Sequence, residues 1–442
     1  MMRRWWIPIA VLLLLGGAAA AILHGRRAPQ WTTRSPAALA ELEKGFEAEM
    51  KYYGEDAREH YRRALALDPD FVIAKLRLLS ATPAQDKDTR QRLIDELRKA
   101  HTAALRPRER LLVEYFLARA DKENARADKL LSAYLDDHPT DPFALSIRCG
   151  QAWTRGDFAE AEACNKRLLD VDPNWVQAQN QLGYLAMGQG HFAEAERLFR
   201  TYLFIAPDQA NPHDSLGELL TVVGRYPEAE HELEEAARIK PNFCAAWSHL
   251  ILLHLVAGEL DPARATLARV QDTGSCPADF IRAQSCRLAA WTGLESRDYG
   301  AAWAAASACG EKPGDLSVMA YRVALLAGQG EVGARLLAAA QQEIEYPEKD
   351  RTNEAVVAHM AGLQELQKGD AAAAAKLFAK ADQGLEYWSD GVAILKLFNR
   401  LDLAAALRGA GRTAEAQRIT AEVAAVNASF AGRFADAPPR PR

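Results

Sequence analysis

Residues 188–199 read GQGHFAEAERLF, and nearly the same pattern returns as GDFAEAEACN from Gly156 and GRYPEAEHEL from Gly224. A glycine followed by an aromatic residue and Glu-Ala suits either a reactive site or a structural unit. The spacing of three residue types separates these readings. Steps of 34 residues relate the prolines Pro173, Pro207 and Pro241, the glycines Gly156, Gly190, Gly224 and Gly258, and the alanines Ala161, Ala195, Ala229 and Ala263. This common period indicates an internal repeat.

Each repeated residue type has a physical role in a pair of short helices. The proline follows an apolar helical run and ends the helix, because it lacks an N–H and clashes with the preceding turn. The glycine lies between two helical patterns and permits a tight turn. The alanine lies on the second helix, where a larger side chain would push the paired helices apart. Each unit therefore needs a neighbouring unit to cover its apolar face.

The pattern resembles the tetratricopeptide repeat (TPR). In residues 176–209 the resemblance is carried by Leu182, Gly183, Gly190, Phe192, Ala195, Phe199 and Pro207. It implies an all-α fold, a right-handed superhelical solenoid of about ten helix–turn–helix units. The uncharged N-terminal stretch described below adds a predicted transmembrane helix in front of the solenoid. More loosely, residues 41–79 and 105–121 resemble the repeat regions of bacterial serine/threonine kinases and winged-helix regulators, without their effector domains.

Five segments are predicted. Residues 1–27 form a signal anchor or a signal peptide, and residues 28–37 form a linker. A regular TPR array extends over residues 38–277, with a divergent unit at 72–107. Degenerate TPR-like repeats follow at 278–430, and residues 431–442 form a disordered tail.

The N-terminal segment is an uncharged stretch from Trp5 to Leu23 between arginines. Nineteen helical residues extend about 28 Å, close to the thickness of a bilayer's hydrocarbon core. This favours a retained anchor, although Ala18 and Ala20 also fit a cleavage pattern. The predicted location is the bacterial inner membrane, single-pass, with the repeats in the periplasm. The alternative is a secreted or periplasmic protein after signal cleavage.

Composition and motifs exclude several functional classes. The net charge of −5 argues against a nucleic-acid partner, because phosphate binding needs a basic face. Gly328, Gly330 and Gly333 match G-x-G-x-x-G, but the preceding residues are helical in character, so a repeat turn is the favoured interpretation. The cysteines and histidines lack metal-site spacing. We therefore expect no catalytic residues, no cofactor and no metal, and we predict that the protein is not an enzyme.

The six cysteines allow two interpretations. In an extracytoplasmic repeat domain, three local disulfides are geometrically feasible, because the start of a first helix lies near the end of a second. Their pairs are Cys149–Cys164, Cys244–Cys276 and Cys286–Cys309. The favoured alternative is that the cysteines are small apolar residues at helix contacts.

A partner-binding groove is expected on the first helices, which form the concave wall of such an array. The inward positions carry aromatic, amide, hydroxyl and acidic side chains that suit an extended peptide or a partner helix. They are Phe143, Trp153, Gln177, Asn180, Tyr184, Asn211, Asp214, Glu218, Ser248 and Leu252.

The sequence therefore predicts a non-catalytic interaction scaffold, tethered to the bacterial cytoplasmic membrane, that binds a protein or peptide partner in this groove. The alternative is an envelope enzyme or regulator with an unrecognised site in the groove or the C-terminal repeats. A deep pocket with converging titratable groups would favour the enzyme, and an open groove would favour the scaffold.

Overall fold

The computed structural model describes residues 31–307, 318–343 and 351–435, and the chain divides into two compact units at Ala144 and Leu145. The helices of the first unit are α1 (Pro36–Met50), α2 (Gly54–Leu67), α3 (Val72–Ala81), α4 (Lys87–Arg98), α5 (Pro107–Ala120) and α6 (Asn124–Asp137). The described residues include no β-strand, which agrees with the predicted all-α class.

The central part of the chain consists of regular helix pairs. These helices are α7 (Pro142–Thr154), α8 (Phe158–Val171), α9 (Val176–Gly188), α10 (Phe192–Ile205), α11 (Ala210–Val222), α12 (Tyr226–Ile239), α13 (Cys244–Ala257) and α14 (Leu260–Thr273). The less regular helices that follow are α15 (Ala278–Ser296), α16 (Tyr299–Ser307), α17 (Val318–Leu326), α18 (Gly330–Glu343), α19 (Arg351–Gln367), α20 (Ala371–Gly384), α21 (Asp390–Gly409), α22 (Thr413–Val426) and α23 (Ala428–Phe434).

The 34-residue period coincides with the helix pairs. Gly156, Gly190, Gly224 and Gly258 lie between the paired helices with φ of 71°, 79°, 78° and 87°, a left-handed conformation that glycine adopts without steric cost. The four periodic alanines on the second helices are completely buried. The described repeats are therefore TPR-like helix pairs. The superhelical hand and the number of ten units stay predictions.

The predicted linker is partly structured. Trp31 is 3% exposed and stacks on Phe46 with ring centroids 5.4 Å apart. Thr32 donates a hydrogen bond from its hydroxyl to Glu109 Oε2 over 2.6 Å, and Ser35 caps α1. These residues belong to the first unit because a buried indole and a buried carboxylate hold them there.

The last described helices extend beyond the predicted repeats. Residues 431–434, which the sequence assigned to a disordered tail, complete α23. Phe434 contacts Phe398 of α21 and Phe430, with ring centroids 4.9 and 4.8 Å apart. Gly328, with φ of 75°, lies in the turn that joins α17 to α18, and Gly330 and Gly333 lie in the first turn of α18, so the G-x-G-x-x-G match follows a helix.

The predicted membrane location needs correction. Among the helices that the structure describes, none combines the length and the apolar character needed to cross a bilayer. The predicted localisation as a single-pass inner-membrane protein is therefore wrong. The predicted anchor itself, residues 1–27, lies outside the described residues.

Candidate functional site

A buried polar cluster lies on the first helices of the second unit, at positions predicted for the groove. Glu218 of α11 is 2% exposed. Its Oε2 accepts the hydroxyl hydrogen of Tyr184 over 2.6 Å, and its Oε1 accepts the backbone N–H of Asp390 over 2.7 Å. Ser215 links this part of α11 to α9 by donating to Asn180 Oδ1 over 3.0 Å. Glu218 thus binds the N-terminus of α21, where backbone N–H groups without an intrahelical acceptor attract a carboxylate.

His249 of α13 joins the same cluster. Its Nδ1 donates to Asp214 Oδ1 over 2.8 Å, and its Nε2 lies 4.0 Å from Asp390 Oδ1. One atom each of Glu218, His249 and Asp390 lies within 4.8 Å of the others. Three helices, α11, α13 and α21, therefore bring an imidazole and two carboxylates together, with a third carboxylate orienting the imidazole.

Burial and mutual repulsion govern the charges of this cluster. Burial raises the pKa of Glu218 to about 7, and although His249 opposes this rise, Asp390 and Asp214 add to it. Burial disfavours the protonated form of His249, but the surrounding carboxylates outweigh burial and raise its pKa well above the ordinary value. Burial also raises the pKa of Tyr184, with Glu218 as the next cause. Burial therefore favours the protonated forms of Glu218 and Tyr184, whereas the neighbouring carboxylates favour the protonated form of His249.

The remaining predicted groove residues have intramolecular contacts or are buried. Ser248 accepts hydrogen bonds from Gln284 over 3.3 Å and Arg287 over 3.1 Å, both on α15. Asn211 donates to Tyr202 over 3.3 Å. Leu252 is 5% exposed, and Gln177 is half-buried. Phe143 lies in the first unit instead, where Arg77 and Arg108 stand over its ring.

An aromatic pair before α21 packs onto the turns of the central repeats. The Trp388 ring lies 5.5 Å from that of Trp153 and 4.3 Å from that of Phe158, centroid to centroid. Tyr387 lies 5.0 Å from Phe192, and its backbone N–H donates to the carbonyl of Gly188 over 3.3 Å. The repeated aromatic after each turn glycine therefore has a second role here, because it contacts a distant segment of the chain.

Two later residues bind the ends of first helices. Asn427 is completely buried and donates from Nδ2 to the carbonyls of Thr221 (3.4 Å) and Val222 (3.1 Å). Arg433 donates to the carbonyls of Leu255 (3.3 Å) and Val256 (2.6 Å). Carbonyls in the last turn of a helix lack intrahelical partners, so these side chains satisfy groups that the repeat leaves open. The segment from Tyr387 to Arg433 thus occupies the face predicted to bind a partner.

Disulfides join two of the three cysteine pairs considered from the sequence. Cys149 and Cys164 are bonded with Cα atoms 5.3 Å apart, and Cys244 and Cys276 are bonded with Cα atoms 5.8 Å apart. The first bond ties α7 to the middle of α8, and the second ties the start of α13 to a residue just after α14. Cys309, the predicted partner of Cys286, lies outside the described residues.

Sequence reasoning missed the residues that complete the site. The sequence spacing of the histidines does not indicate a site at His249, and no motif or period singles out Trp388, Asp390, Asn427 or Arg433. Their partners lie as far as 206 residues away in sequence, as for Asn427 and Thr221. A sequence signal existed only for His249, which follows the predicted groove residue Ser248.

The cluster bears on the choice between a scaffold and an enzyme. Titratable groups do converge, which is one part of the criterion stated for the enzyme, the other being a deep pocket. Glu218, Asp214 and Asp390 are 2%, 3% and 6% exposed, and Asp390 is the first residue of α21. Their contacts link α11, α13 and α21 and dock the start of α21 on the first helices.

Comparisons with known proteins give a loose resemblance. No protein-family model matches the chain, and no curated protein matches it. The chain is similar to a chain of the Cut9–Hcn1 APC/C heterotetramer (14% identity, TM-score 0.48, 90% of this chain and 76% of that one). It is also similar to PilW, a type IV pilus biogenesis factor (17%, 0.36, 51% and 89%). A third similar structure is a tetratricopeptide repeat protein from Parabacteroides merdae (18%, 0.39, 55% and 92%).

These TM-scores are below 0.5, so the TPR-like description rests on this chain's own turn glycines and helix pairs. The resemblance to the repeat regions of bacterial kinases and winged-helix regulators stays a prediction.

Proposed function

We propose that this chain is a non-catalytic protein-binding scaffold whose groove, on the first helices of residues 145–257, binds a polypeptide segment with an aromatic pair followed by a helix. The supporting observation is that the chain's own segment, Tyr387 to Arg433, lies on that face. An external partner would bind by exchange with this internal segment.

The internal contacts indicate what such a partner must supply. An indole fits between Trp153 and Phe158, where Gly188 has no side chain: a Cβ there would lie 2.5 Å from the Trp388 ring. A backbone N–H binds Glu218, which favours a helix N-terminus. Apolar anchors and a few directional polar contacts are typical of peptide-binding grooves.

The test compares binding of a fluorescent peptide of residues 384–398 to the intact protein and to the Trp388→Ala variant. Trp388 is half-buried, so its truncation should weaken closure by about 2 kcal/mol, less than for a fully buried tryptophan. That loss raises the open population about 30-fold. The labelled peptide should therefore bind the variant about 30-fold more tightly than the wild type.

Two controls separate groove exchange from general loosening. Phe204→Ala truncates an aromatic residue that is 86% exposed, and it should leave peptide affinity unchanged. A peptide with alanine in place of its tryptophan should bind both proteins weakly. Equal peptide affinity for the wild type and a folded Trp388→Ala variant would count against the proposal, and circular dichroism establishes that the variant is folded.

A further inference from the structure

The cluster of Glu218, His249 and Asp390 has one feature that its hydrogen bonds do not explain. Asp390 is 6% exposed, and its Oδ2 atom is buried without a hydrogen-bond partner among the described residues. A buried carboxylate oxygen without a partner costs considerable free energy. Asp390 belongs to a group of ligand-type side chains with Glu218 and His249, and a cation bound by its carboxylate would compensate this cost.

The residue types and their positions suit a metal ion. His249 Nε2 faces Asp390 Oδ1 at 4.0 Å, and one oxygen of Glu218 completes a triangle within 4.8 Å. Ligands of zinc lie about 2.0–2.2 Å from the ion, so tetrahedral neighbours are about 3.3–3.6 Å apart. An inward movement of about 1 Å by these side chains would meet that geometry.

The surroundings of His249 provide the second part of a metal site. Histidine ligands commonly donate their other ring N–H to a carboxylate, which fixes the tautomer and increases the basicity of the ligand. Asp214, 3% exposed, accepts the Nδ1–H of His249 and leaves Nε2 directed toward Asp390. Asp214 is therefore a positioning residue for His249.

Charge favours the same conclusion. Asp214, Glu218 and Asp390 bring three negative charges into a region that water hardly reaches. The half-buried cation Arg287 interacts with Asp390. A metal ion displaces the protons of its ligands, and the three carboxylates with Arg287 then leave two negative charges, which equals the charge of one divalent ion.

We propose that Glu218, His249 and Asp390 bind one divalent transition-metal ion of the zinc class and that this ion joins α11 and α13 to the N-terminus of α21. One imidazole nitrogen and two carboxylate oxygens form a ligand set for zinc or its neighbours in the first transition row. The ion brings together helices that are separated by 141 residues between His249 and Asp390. This proposal does not depend on an external partner in the groove.

The experiment measures zinc uptake by the full-length protein. Metal-free protein is titrated with Zn²⁺ by calorimetry, and bound zinc is counted by mass spectrometry after gel filtration. One zinc per chain is expected. The isosteric Asp390→Asn variant and His249→Gln should each weaken binding more than 100-fold because each removes a ligand. Asp214→Asn should weaken it 10- to 100-fold, as outer-sphere substitutions do.

The exposed His191 supplies a matched control, since His191→Gln should leave the stoichiometry and affinity unchanged. Co²⁺ gives a second measurement, because visible d–d bands of a nitrogen- and oxygen-bound ion should appear in the wild type and be lost in Asp390→Asn. Circular dichroism confirms that each variant is folded. Absence of tight zinc uptake by the wild type, or uptake that Asp390→Asn and His249→Gln leave intact, would overturn the proposal.

Discussion

The contact between Gly188 and Trp388 predicts how Gly188→Ala changes the free energy of unfolding. The sign of that change depends on whether the C-terminal segment is docked on α9. Gly188 is the last residue of α9, and an added Cβ would lie 2.5 Å from Cε3 and Cζ3 of Trp388. Trp153 and Phe158 adjoin that indole, so it has little room to move aside. Gly188→Ala must therefore displace the ring or the helix end.

The magnitude follows from two opposing effects. Alanine is favoured over glycine in a helix by up to about 1 kcal/mol, and the gain is smaller at the last position. Overpacking costs about 1–3 kcal/mol. The net expectation is a decrease of about 1–2 kcal/mol in the free energy of unfolding. Gly150 on α7 is the matched control, since a Cβ there meets nothing within 4 Å. Gly150→Ala should increase stability by about 0.5–1 kcal/mol.

Urea unfolding followed by circular dichroism measures both changes, and acrylamide quenching reports exposure of the indole. A double-mutant cycle with Trp388→Ala isolates the contact. In the Trp388→Ala background the added Cβ of Gly188→Ala meets no indole ring, so the substitution should become neutral or stabilising. The coupling between the two sites should exceed 1 kcal/mol. Additive effects, or a Gly188→Ala variant as stable as Gly150→Ala, would refute the placement of Trp388 against α9.

Three further predictions test other contacts by urea unfolding or NMR. Asn427→Ala should lower stability by about 1–3 kcal/mol, because carbonyls at the end of α11 lose their donor; an unchanged midpoint would contradict this. Arg322 donates to both carboxylate oxygens of Asp402 over 2.6 and 2.8 Å, and both side chains are buried. Arg322→Met should lower the free energy of unfolding by about 3–5 kcal/mol, because it leaves the carboxylate buried without its partner. The double variant Arg322→Met with Asp402→Leu should recover most of that loss. His213 has a raised pKa, because although its burial lowers the pKa, the hydrogen bonds to Glu232 and a carbonyl, with Glu235 nearby, outweigh burial. The His213 interactions therefore contribute fully to the free energy of unfolding at a pH below the ordinary pKa of about 6.5. This contribution is lost as the pH rises through the raised pKa. Glu232→Gln should lower the His213 pKa measured by NMR, and an unchanged titration would show that the ion pair is not the cause.

The helix pairs could be predicted from the sequence because their determinants are local. A turn glycine, a buried alanine and a terminal proline each act within one unit, and Gly190 with its equivalents repeats every 34 residues. The positions of Tyr184, Glu218 and Asp214 on first helices were also accessible, since helical periodicity assigns residues to a face.

The occupant of the groove could not be predicted, because its contacts are not periodic. Trp388 lies outside the regular 34-residue pattern, in the region of degenerate repeats, and 200 residues separate it from Gly188. The same limit applies to the expectation of no metal, which rested on ligand spacing along the chain. Asp390 lies 172 residues from Glu218, and only folding brings their atoms within reach.

An internally occupied groove changes how binding by this protein must be measured. If the contacts of Trp388 and Asp390 favour closure by about 2.8 kcal/mol, the open fraction is about 1%. A partner with an intrinsic Kd of about 10 nM would then show an apparent Kd of about 1 µM, since apparent affinity falls with the competent fraction. Weak binding to the intact chain is therefore compatible with a well-formed groove. The informative quantity is the ratio of partner affinities between the Trp388→Ala variant and the wild type. In the wild type the docked segment lowers the apparent affinity, whereas in the variant this docking is weakened.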